Sequence, residues 1–118
     1  MVCTIRRFSS FERHLKAIIK RYPLAESAIV AEINGLADNP IQGDCYPGFY
    51  PYQVRKVRVS LKVYHISSSG GLRLIFLYFP DKSMVAPLVI YKKGKPASEH
   101  EVKKMVLGDL QEIIREMA

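Results

Sequence analysis

Between Val54 and Lys92 the apolar residues recur at every second position or in short unbroken runs, and turn residues separate the runs. Val57, Val59, Leu61 and Val63 alternate with Lys56, Arg58, Ser60, Lys62 and Tyr64, the two-residue period of a strand with one apolar and one cationic face. Ser67-Ser68-Ser69-Gly70-Gly71 turns the chain into the run Leu72 to Phe79, and Pro80-Asp81-Lys82 turns it again into Met84 to Lys92. Three successive strands joined in this way form an antiparallel meander. Pro87 has no N–H to give to a ladder, so the last strand lies at an edge or bulges there.

Helical patterns flank the meander. Val2 to Ile5 reads as a short opening strand, and Ser9 or Ser10 then caps a helix whose face carries Phe11, Leu15, Ile18, Ile19 and Tyr22. Pro23 opens a second helix bearing Leu24, Ala28, Ile29, Ile33 and Leu36, which ends at Asp38-Asn39-Pro40 because the residue before a proline disfavours helix. Ile41 to Tyr52, rich in glycine, proline and aromatic residues, reads as an ordered loop. Ser98-Glu99-His100-Glu101 is a capping box, and Val102, Met105, Val106, Leu110, Ile113 and Met117 follow at helical spacing. That stripe reads as core laid across the sheet; an apolar helix buried in a partner is the other reading.

The chain of 118 residues is expected to be a single domain, 1–118. A domain of this size removes roughly two-thirds of its unfolded surface from water. No apolar run reaches the roughly 18 residues of a membrane span. The opening MVCTIRRFSSFERH has no apolar signal region, so the expected location is the cytoplasm, with no membrane partner. Cys3 and Cys45 then read as free thiols. His14, His65 and His100 have no ligand spacing with either cysteine, so neither metal nor cofactor is expected.

The net charge of +7 is concentrated in one segment. From Tyr50 to Lys95 nine bases, Arg55, Lys56, Arg58, Lys62, Arg73, Lys82, Lys92, Lys93 and Lys95, face the single acid Asp81, whereas nine bases face ten acids elsewhere. A field concentrated in this way points to a polyanionic partner. Arg73 is the most pointed case, because it interrupts an apolar strand just after a double glycine. It shares its strand face with Ile75 and Leu77, so it either snorkels at the sheet end or enters a polar pocket beside the cationic strand. Gly70 and Gly71 let a backbone come close, and a guanidinium there can grip a phosphate through two N–H groups.

These pieces resemble the RelE/HigB group of bacterial toxin-antitoxin toxins. The resemblance rests on Lys56-Val57-Arg58, on Ser69-Gly70-Gly71-Leu72-Arg73, and on Ile90-Tyr91-Lys92-Lys93 ahead of the capped helix at Ser98, and it runs from about Ile41 onward. It implies an α+β fold, a small twisted antiparallel β-sheet with two N-terminal helices packed on one side and a C-terminal helix. It further implies a toxin that cleaves messenger RNA without a metal, usually at the ribosomal A site, neutralised by a cognate antitoxin protein, with a homodimer as a further possibility.

In such cleavage the ribose 2′-hydroxyl attacks the neighbouring phosphorus and leaves a 2′,3′-cyclic phosphate and a 5′-hydroxyl. Arginine keeps its proton in a protein, so Arg58 and Arg73 are expected to stabilise charge. A lysine crowded by cations can give up its proton, which makes Lys56 the expected base. Lys93 is the residue to stabilise or protonate the leaving oxygen, and it shares a strand face with Tyr91. Lys62, Gly70, Gly71, Tyr91, Lys92, Lys95 and His100 complete the expected substrate-binding set, with His100 as a proton relay. The alternatives are a non-catalytic module of the same fold, either a ParE-like gyrase inhibitor or an RNA-binding protein, and a subunit whose terminal helix docks into a partner.

Overall fold

The computed structural model describes residues 2–67, 70–94 and 98–117. In chain order the elements are β1 (Thr4–Ile5), α1 (Ser9–Arg21), α2 (Glu26–Asp38), β2 (Asp44–Cys45), β3 (Gln53–Val59), β4 (Leu72–Phe79), β5 (Met84–Lys92) and α3 (Glu99–Met117). The five strands form one sheet in the order β1-β5-β4-β3-β2. The meander β3-β4-β5 is antiparallel as the alternation requires, and β2 extends it antiparallel to β3. β1 adds a parallel pair at the β5 edge.

Strand alternation sends the meander's side chains to two separate cores. Val57, Val59, Leu72, Leu74 and Phe76 face one side, where Phe11 and Leu15 of α1 and Ile29, Ile33 and Leu36 of α2 cover them. Val54, Ile75, Leu77, Ala86 and Val89 face the other, under Val102, Val106, Leu110 and Ile113 of α3. Each of these large side chains contributes about 1.5–3 kcal/mol of burial free energy. The terminal apolar stripe is therefore core, and the reading of α3 as a helix kept for a partner is set aside. At Pro87 the ladder shifts: Ile75 pairs Val89 but Phe76 pairs Pro87, so Leu88 is the extra residue of a bulge.

Several local expectations are corrected. The N-cap of α1 is Phe8, not a serine, and no side chain caps the helix; Ser10 lies inside it with its hydroxyl buried and without a hydrogen-bond partner among the described residues. Pro23 opens a single turn of 3₁₀ helix, Pro23–Ala25, before α2 begins at Glu26, which leaves Leu24 and Ala28 exposed. β3 ends at Val59, opposite Leu72, because β4 offers no further ladder partner beyond it. The chain then makes a 3₁₀ turn, Lys62–Tyr64, closed by the bridge Leu61–Ile66, so Val63 is exposed and Lys62 does not extend the cationic face. At α3 the Ser98 half of the expected box is present: the Ser98 hydroxyl accepts the Glu101 N–H at 3.2 Å.

The left-handed backbone that only glycine adopts easily occurs at Gly43, with φ +71°, and not in the Gly70-Gly71 turn before β4. A Cβ on Gly43 would collide with the Lys56 carbonyl, whereas one on Gly70 would make ordinary contact with Ile66 at 3.4 Å. Arg55 closes the same corner, donating from Nε to the Gln42 carbonyl at 2.9 Å and from Nη2 to the Gly43 carbonyl at 2.8 Å.

Candidate functional site

The site begins with register. Arg58 of β3 pairs Arg73 of β4, and Arg73 pairs Tyr91 of β5, so the three side chains form one row across the sheet on the α3 face. Lys56 stands in the next row, beside Ile75. Arg58 is exposed and Lys56 half-buried, but Arg73 is only 5% exposed. Burial pushes the Arg73 guanidinium below its ordinary value, Arg58 opposite pushes it the same way, and Tyr91 acts against them. Its Nη1 donates to the Leu72 carbonyl at 3.2 Å.

A second group comes from the loop before β3 and from the start of α3. Tyr46, buried and stacked on Phe49 with ring centroids 5.8 Å apart, donates from its hydroxyl to Glu99 Oε1 at 2.9 Å. Two ammonium groups lie over the same ring, Lys56 Nζ at 5.4 Å from the centroid and Lys103 Nζ at 6.0 Å. Burial, then the hydrogen bond to Glu99, raises the Tyr46 hydroxyl well above its ordinary value. The Tyr91 hydroxyl is also raised, by burial first and Glu99 second, against the pull of Arg73. Both phenols are therefore hydrogen-bond donors at neutral pH and not bases. The whole is a cationic row with one carboxylate, Glu99, and two protonated phenols, a set able to hold an anion and exchange a proton beside it.

No protein-family model matches the sequence, and no curated protein matches it. Among solved structures the chain is similar to the E. coli toxin RelE in its free state, in a form carrying two arginine-to-alanine substitutions. The TM-score is 0.63 over 92% of this chain and 97% of that chain, at 16% sequence identity. The chain has the RelE fold. At that identity the likeness is one of architecture.

Within the RelE fold, Lys56, Arg58, Arg73 and Tyr91 share one face of the meander. Lys93 lies in the turn after β5, exposed, its N–H bonded to the Gly71 carbonyl at 3.0 Å, so it falls beyond the β5 ladder and not on the strand face of Tyr91 as the alternation suggested. Lys92 pairs Leu72 and so faces the α1–α2 side, opposite Tyr91. His100 is exposed in the first turn of α3, Lys62 is exposed in its 3₁₀ turn, and Lys95 lies outside the described residues. Tyr46, Glu99 and Lys103 are the residues that the sequence reading did not select. Their signals were present, an aromatic in the proline-glycine loop and an acid at a helix start, but only the tertiary contact between that loop and α3 joins them. Among the described residues no three His, Cys, Asp or Glu side chains gather at metal-binding distance, and no helix is long and apolar enough to cross a membrane.

Proposed function

We propose that this chain is the toxin of a toxin-antitoxin pair, a cytoplasmic endoribonuclease that cuts messenger RNA, on the ribosome, by attack of the 2′-hydroxyl. The observation that carries this reading is the Arg58–Arg73–Tyr91 row with Lys56 beside it, in a chain of the RelE fold. Arg58 takes the scissile phosphate at the surface, and the buried charge of Arg73 adds to the field on it. The charge that develops on the phosphorane is thereby met by groups already in position, the kind of interaction worth roughly 10²–10³ in rate per donor. Lys56, in its neutral amine form, accepts the 2′-hydroxyl proton, with the Glu99 carboxylate a second acceptor at the same place, and Lys93 serves the leaving 5′-oxygen. Tyr91, held protonated, donates a hydrogen bond. The cognate antitoxin covers this basic face when the toxin is silent.

Expression of the chain alone and mapping of transcript ends tests the reading. New ends within codons of translated messages, carrying 2′,3′-cyclic phosphate and 5′-hydroxyl groups, are expected. One observation favours a second reading, of a non-catalytic module: burial of Arg73 leaves only Arg58 of the row exposed. Growth arrest with intact messages and a DNA-damage response would establish that reading, in its gyrase-directed form, and end the first.

A further inference from the structure

Tyr50 is 97% exposed, the most solvent-accessible large apolar or aromatic side chain among the described residues. A single exposed ring needs no explanation by itself, but this one is presented on a fixed support. Its neighbour Phe49 is buried and stacked on Tyr46, and the Tyr52 N–H donates to the Phe49 carbonyl at 2.9 Å, so the turn that carries Tyr50 is closed on both sides. Tyr50 also borders a cleft of about 310 Å³ whose walls include Tyr46, Pro47, Tyr52 and Arg55. The inner wall of that cleft is the same Tyr46 that carries Lys56 and Lys103 over its ring.

Cations that follow a backbone, interleaved with rings open to stacking, are the means by which proteins hold single-stranded nucleic acid. From Arg58 back to Tyr52 the chain runs along β3 for about 20 Å at the usual strand rise, a distance of a few nucleotides of extended strand. We propose that Tyr50 is a stacking platform for a nucleobase of the RNA, a few nucleotides from the phosphate held at Arg58. The cleft beside it receives that base, and Lys56 and Lys103 attract the phosphates between. This inference rests on the proposed ribonuclease reading and adds to it a positioning residue outside the cation row. A tyrosine- and proline-walled cleft can also suit a proline-rich peptide, but the two lysines on Tyr46 favour an anionic strand.

The test measures fluorescence anisotropy of a labelled hexanucleotide RNA with every ribose 2′-O-methylated, so that binding is read without cleavage. Tyr50→Ala is expected to weaken binding about tenfold, the scale of one lost base–aromatic stack, with an unchanged dependence on salt. Tyr50→Trp is expected to bind at least as tightly as the unaltered chain. Arg58→Ala, in contrast, should reduce the salt slope by about one phosphate contact. A dinucleotide, too short to reach the loop, should not distinguish Tyr50→Ala from the unaltered chain. Equal binding of the hexanucleotide by Tyr50→Ala, with weakened binding by Arg58→Ala, overturns the stacking role and leaves the ribonuclease reading standing. Failure of the unaltered chain to bind any oligonucleotide overturns the stacking role, and so does binding of a proline-rich peptide in place of RNA, while the ribonuclease reading stands or falls on the transcript ends.

Discussion

Arg58 and Arg73 stand directly opposite each other on β3 and β4, one in solvent and the other almost sealed from it. Like charges paired across a sheet destabilise it by up to about 1 kcal/mol, and burial adds to the disfavour at Arg73. Under the proposed reading this separates the two arginines: the exposed Arg58 is placed to touch a ligand, while the buried Arg73 would act on it through its field.

The first prediction follows from that division. Arg73→Met keeps most of the volume, and the repulsion from Arg58 that it relieves offsets the hydrogen bonding that it removes, so the thermal midpoint is expected to stay within a few degrees of the unaltered chain, on the scale of about 4 °C per kcal/mol for a domain of this size. RNA cleavage should fall by about 10²-fold or more. Arg58→Ala, at an exposed position, should leave stability within about 0.5 kcal/mol while lowering cleavage similarly. Calorimetry alongside a cleavage assay reads both, and a large fall in the Arg73→Met midpoint would mean that the guanidinium's native contacts outweigh its repulsion.

A second prediction concerns alkaline pH. The Tyr46 and Tyr91 hydroxyls titrate higher in the folded chain than their ordinary value of 10.0. The native state therefore holds these protons where the unfolded state has released them, and stability must fall as pH rises above about 10. Below that value their contribution is complete and independent of pH. Urea midpoints measured on either side of pH 10 should show the decline, and Tyr46→Phe should flatten much of it while weakening the tie between the loop and Glu99. A decline as steep in Tyr46→Phe as in the unaltered chain would remove Tyr46 from this role.

How much of this was legible in the sequence depends on the range of the interaction. The meander was readable because alternation at Lys56-Val57-Arg58 and two short turns fix strand direction locally. The α3 start was readable because Ser98 and Glu101 lie within one turn. Arg73 was recognisable as anomalous, but its depth of burial was not, since that depends on tertiary packing around the sheet that no local pattern encodes. Lys62 was misplaced because alternation continues through the letters after Val59 although the partner strand does not. Tyr46 and Glu99 are 53 residues apart, and no local pattern announces their hydrogen bond.

The last prediction concerns the support of Lys56. Asp44 of β2 pairs Lys56, and Gly43 just before it has φ +71° with the Lys56 carbonyl where a Cβ would stand. Gly43→Ala therefore meets two costs: about 1 kcal/mol or more of left-handed strain, and a collision with backbone that cannot rotate away. The β2 strand, only two residues long, has little else to hold it, so the expected response is local detachment of β2 from β3 and release of the Arg55 contacts to Gln42 and Gly43. Amide exchange should quicken at Tyr46, whose N–H bonds the Val54 carbonyl at 2.8 Å, while the α1–α2 core stays protected. Cleavage should drop with it, because the Tyr46 ring beneath Lys56 and Lys103 loses its fixed position. Unchanged exchange at Tyr46 in Gly43→Ala would show that the corner tolerates a side chain and does not position the site.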